Sequence, residues 1–90
     1  MMDQIARAIA NVVIFLEYSS PDILDEDFSI EALEQLAGDL QALDETSRTA
    51  LAASFRLIAP TYKGDIETFV AALPESLGIS RSEEDEDFEL

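Results

Sequence analysis

Carboxylates are the reactive groups this chain offers in quantity, and they are concentrated. Asp22, Asp25, Glu26 and Asp27 crowd one short segment, with Glu31 and Glu34 following at helical spacing. Clustered carboxylates suit a hard cation such as calcium, or the paired acid and base of a glycosidase. The calcium template fails on spacing. Asp25, Asp27 and Ser29 imitate the opening of an EF-hand loop, yet Ile30 stands where glycine is needed and Leu36 where the closing bidentate glutamate belongs. A two-carboxylate glycosidase needs a substrate cleft that a 90-residue chain has little material to build.

Other chemistries lack their parts. The chain has no histidine and no cysteine, so the commonest general base, the thiolate nucleophile and the usual zinc ligands are missing. Its serines, among them Ser19, Ser20, Ser29, Ser47, Ser54, Ser76, Ser80 and Ser82, have no imidazole to activate them. The one lysine, Lys63, adjoins Gly64 in a loop-like stretch. The expectation is a protein that is not an enzyme and holds no metal or cofactor.

The charge balance narrows the partners. Twenty Asp or Glu against five Lys or Arg give a net charge of −15. Binding phosphates needs a basic surface, and Arg7, Arg48, Arg56, Lys63 and Arg81 are scattered, so direct nucleic-acid binding and anionic membranes are both disfavoured. The run Val12 to Leu16 is too short for a secretory signal or a span of about 20 residues. A cytoplasmic protein is expected. At 48% hydrophobic residues the chain is too apolar for a disordered acidic polymer, and a folded domain with a charged skin follows.

The elements that must position these acids read as an all-α, compact bundle of four main helices. The first spans about Asp3 to Tyr18, with Ile5, Ile9, Val12, Val13 and Leu16 on one face. Ala10, Ile14 and Phe15 make it apolar on a second side as well, which suits either a central helix or a helix that meets another chain. Ser19, Ser20 and Pro21 end it. A second helix from about Ser29 to Leu43, capped by Asp27 or Ser29, buries Ile30, Leu33, Leu36, Ala37, Leu40 and Leu43. A third from about Glu45 to Ala59 carries Leu51, Phe55 and Ile58 on one face and Ala50, Ala53 and Leu57 on another, the pattern of a central helix approached closely by a neighbour. Pro60 stops it. Asp65 should cap a fourth helix built on Ile66, Phe69, Val70 and Leu73, with Pro74 interrupting, one further turn at Glu75 to Leu77, and Gly78 as terminator.

Composition changes sharply after residue 79. The expected organisation is a helical domain over 1–79 and a disordered acidic tail over 80–90. The first 79 residues still hold 14 acidic and four basic side chains, so the tail does not create the bias. Within the domain, Tyr18 adjoins the densest acids, and tyrosine is favoured at interface anchors. A partner-binding surface is therefore expected on Tyr18, Asp22, Asp25, Glu26, Asp27, Glu31 and Glu34. Tyr62 reads as a residue at the edge of the core.

The phrases LEQLAGDLQALDETSRTALAASFRLIAP and DIETFVAALPESLG, over roughly residues 33 to 78, and the overall acidic helical character resemble the small immunity proteins that accompany bacterial antibacterial toxins and type VI secretion effectors. The resemblance implies tight binding to one cognate toxin with a basic surface, occluding its active site or substrate access. It transfers no functional residue. Two further readings are an acidic nucleic-acid mimic or adaptor on a basic regulatory protein, and a helical module that forms a homodimer through Ala10, Ile14 and Phe15.

Overall fold

A computed structural model of the protein describes residues 2–80. It consists of five helices: α1 (Met2–Tyr18), α2 (Glu26–Gln41), α3 (Glu45–Ile58), α4 (Asp65–Ala71) and α5 (Leu73–Ser76), with a 3-10 turn at Ala59–Thr61 between α3 and α4. Among the described residues there is no strand. The all-α bundle is thus realised, and the expected tail over 81–90 lies outside the described residues. Ser80 belongs to the folded part: its N–H donates to the Pro74 carbonyl at 3.1 Å, and Arg56 Nη2 donates to its Oγ at 3.2 Å.

The third helix is central, as its pattern implies. Leu51, Ala52, Ser54, Phe55 and Ile58 are buried, and α1 packs chiefly against this helix. The face α1 uses keeps only part of the expected stripe, Val13 buried and Ile9 packed on the core. Ala6, Ala10 and Val13 are its buried residues, while Ile5 and Val12 stay 45% and 53% exposed. Short side chains at a helix contact let the axes approach closely, which the buried alanines of α1 and Ala52 of α3 permit. Ala50, Ala53 and Leu57, read as the close-approach face of α3, point to solvent instead.

Helix α2 is held more lightly. Leu40 and Ser29 are buried, and Leu33, Leu36 and Ala37 pack on the core while partly exposed. Ile30 and Leu43 are exposed rather than buried. The helix begins earlier than Ser29, and its cap is neither Asp27 nor Ser29. Asp25 serves: its Oδ1 accepts the Asp27 N–H at 2.8 Å, and two acids, Glu26 and Asp27, then occupy the positive end of the helix dipole. At the other end Arg48, from α3, donates to the Leu43 carbonyl at 2.6 Å, bringing a cation to a C-terminus with no basic residue of its own.

Two glycines turn the chain where positive φ is required. Gly64 (φ 59°) precedes α4, so the cap position is glycine and Asp65 is the first helical residue, not the cap. Gly78 (φ 76°) ends α5 as expected, with the Ile79 N–H bonding back to the Pro74 carbonyl at 2.9 Å. Pro74 sits in the first turn of α5, where its missing N–H costs nothing. Gln41 Nε2 donates to the Leu77 carbonyl at 2.8 Å, tying the end of α2 to the end of α5.

Candidate partner-binding surface

The acids singled out in the sequence surround the connection between α1 and α2. Asp22 lies in a turn closed by the Ile23 and Leu24 N–H groups on the Ser20 carbonyl, at 2.9 and 3.0 Å. Asp25 is engaged in capping, so its carboxylate is already committed to the backbone. Glu26, Asp27, Glu31 and Glu34 project from α2 and are exposed. The helical period places Asp27, Glu31 and Glu34 on one outward ridge and turns Glu26 toward α1.

Tyr18 ends α1 with its ring edge-on to Phe69 of α4, the centroids 5.3 Å apart and the planes at 80°. About half of it stays exposed. Its placement is therefore that of a ring buttressed on one side and open on the other. Tyr62 reads correctly as core edge: it is partly buried against the core, donates its hydroxyl to Asn11 Oδ1 at 2.7 Å, and carries the Arg7 guanidinium 5.5 Å from its ring centre.

Two clefts run along the α1–α2 junction. One, of about 400 Å³, has Leu16, Leu24, Ile30 and Leu33 in its walls and Glu17 and Glu26 at its edge. The other, of about 360 Å³, is formed by Val13, Leu33, Ala37, Phe69 and Leu73 with Glu17 and Glu34. Glu17 and Leu33 line both. Each cleft thus offers an apolar floor bordered by carboxylates, which suits a partner segment that alternates apolar and basic side chains.

Residues outside the predicted set complete the surface. Ile23 and Phe28 are 73% and 65% exposed in the midst of Asp22, Asp25, Glu26 and Asp27. Glu17 is shared by both clefts. Nothing in the sequence singled out Glu17, because one acid on the polar side of a helix is ordinary. The signal for Ile23 and Phe28 was present: apolar residues in a segment too short and too charged to bury them.

Among the described residues no three acidic side chains converge closely enough to hold a metal ion. The described carboxyl that is clearly perturbed is Asp44, held below its ordinary range by the Ser47 hydroxyl and then by the Ser47 N–H; it caps α3, remote in sequence from the clefts. No described helix is long and apolar enough to cross a membrane. No family model, curated protein or solved structure matches the chain.

Proposed function

We propose that this protein is a binding protein for a basic protein partner, engaging it through the α1–α2 connection and its two acid-bordered clefts. The observation that carries the reading is the pairing of Ile23 and Phe28, both more than half exposed, with a surrounding group of carboxylates. Exposed apolar anchors inside a charged border are the arrangement by which interfaces combine slow dissociation with fast, steered association.

In its specific form the proposal is an immunity protein acting in the bacterial cytoplasm. A cognate effector toxin would present a basic active-site cleft, and the acidic face would cover it and exclude substrate. The chain's net charge of −15 supports that reading through long-range attraction to a cationic cleft.

The test uses the toxin that co-purifies with the protein from its native cells. Cells making that toxin should grow when the wild-type protein is present and arrest when it carries Glu26→Lys, Glu31→Lys and Glu34→Lys together. Asp25 is left unchanged in this variant so that the α2 cap survives. Full protection by the charge-reversed protein would remove the acidic face from the account.

A further inference from the structure

Helix α1 is covered on three of its flanks. Its Ala6, Ala10 and Val13 side is buried in the core, Ile9 and Ile14 pack partly against that core, and the exposed Arg7 and Asn11 contact Tyr62, the Arg7 guanidinium over its ring and Asn11 accepting from its hydroxyl. The remaining flank carries Ile5, Ala8, Val12 and Phe15, all exposed. Ala10 has no exposed surface, and Ile14 is only partly exposed. The second apolar side of α1 therefore differs from the one the sequence suggested, and of Ala10, Ile14 and Phe15 only Phe15 belongs to it.

Two properties of this flank identify what fits it. The first is charge. Asp3, Arg7 and Glu17 are the charged residues of α1, and at 3.6 residues per turn all three fall on the half of the helix away from the Ile5–Phe15 stripe. In a chain of net charge −15 this stretch, about 15 Å long, keeps carboxylates off its own helix face. A basic partner gains nothing there. A second copy of this chain, which elsewhere meets mutual repulsion, can approach here.

The second property is spacing. The intervals from Ile5 to Ala8, Val12 and Phe15 follow the alternating three-and-four step of a helix–helix seam, and they read the same in both directions. When two such helices pack antiparallel about a two-fold axis, Ile5 meets the partner subunit's Phe15 and Ala8 meets the partner subunit's Val12. The small Ala8 side chain leaves room for Val12 at the middle of the seam. Self-complementarity of this kind is what a two-fold interface requires.

We propose that the protein forms a two-fold homodimer through the Ile5, Ala8, Val12 and Phe15 face of α1, packed antiparallel. Glu17, which lines both α1–α2 clefts, lies on the other half of α1 from this seam. The dimer does not depend on the identity of the basic partner.

Sedimentation velocity of the full chain across a dilution series is the test. The expected result is a species of twice the 9.9 kDa chain mass, whose share rises with added salt as repulsion between acidic copies is screened. Val12→Glu should weaken dimerisation at least about tenfold by placing two carboxylates in the seam, with an unchanged helical circular dichroism spectrum. An independent variant, Ala8→Cys with Val12→Cys, should cross-link covalently into a dimer under oxidation, since the chain has no other cysteine. A wild-type protein that stays at monomer mass at high concentration and high salt, a V12E dimer of undiminished strength, or failure of the double-cysteine variant to cross-link would each overturn the proposal.

Discussion

Tyr18 and Phe69 join the end of α1 to α4 by an edge-to-face ring contact at 5.3 Å. Phe69 also lines the cleft that it shares with Val13, Leu33 and Glu34. The ring contact holds the start of the acidic connection against a fixed element. The exposed apolar and acidic groups that follow are thus presented from a braced point rather than from a free helix end.

Removing that brace should be felt in both stability and binding. Tyr18→Ala is expected to lose about 0.5–1.5 kcal/mol of ring-pair energy in addition to the buried area, whereas Tyr18→Phe should keep nearly all of it. Urea denaturation of the two variants checks this ordering, and equal destabilisation by both would show that the hydroxyl, not the ring edge, matters.

The core should answer to α3. Phe55 is completely buried, so Phe55→Ala is expected to cost about 3–5 kcal/mol. Leu57, two residues along the same helix, is 66% exposed, and Leu57→Ala should change stability by no more than about 0.5 kcal/mol. Thermal denaturation of the pair separates a buried helix face from a solvent one.

Gly78 should resist replacement. Its φ of 76° is strained for any L side chain, and a Cβ there would stand 2.5 Å from Gln41 Nε2, the group that donates to the Leu77 carbonyl. Gly78→Ala is therefore expected to destabilise by more than about 1 kcal/mol, and Gln41→Ala in the same background should add less than it does alone. Chemical denaturation of the four proteins of that cycle gives the answer.

The cap of α3 makes a pH-dependent contribution. Asp44 has a lowered pKa in the folded state because Ser47 bonds its carboxylate. A depressed acid stabilises the fold fully above its unfolded value of about 3.9 and loses that contribution as pH falls through the folded value. Asp44→Ala should accordingly lower the melting temperature at neutral pH, and the gap to wild type should shrink as the medium is acidified below that range. A gap that stays constant down to strongly acidic pH would mean the carboxylate charge is not what caps the helix.

Much of this architecture was legible in the sequence, and the failures have a common physical origin. Pro21, Pro60 and Gly78 punctuate the helices because proline and glycine act locally, through backbone geometry. Burial of α3 followed from its apolar spacing. What periodicity could not rank was competition between faces of one helix: Ile5 and Val12 look more core-like than Ala6 and Ala10, but closeness to α3 favoured the smaller residues. Ser29, a cap candidate by its residue type, is buried while Ile30 beside it is exposed, because α2 begins at Glu26 and the Ser29 hydroxyl donates to the Asp25 carbonyl at 3.3 Å within its first turns. The acids around the α1–α2 connection were visible as a charge cluster. The clefts beside them were not, since one arises between α1, α2 and their connection and the other where α1, α2, α4 and α5 meet, and no single segment records either meeting.

Association with the proposed basic partner, measured by biolayer interferometry at low and high salt, is the decisive measurement. The partner toxin should bind wild type with a rate of association that falls steeply as salt is added. Ile23→Ala with Phe28→Ala should speed dissociation at least about tenfold with little effect on that salt dependence, and Glu26→Lys with Glu31→Lys and Glu34→Lys should slow association. Binding that is insensitive to salt, and unaltered by both sets of substitutions in folded protein, would contradict recognition through the α1–α2 acidic surface.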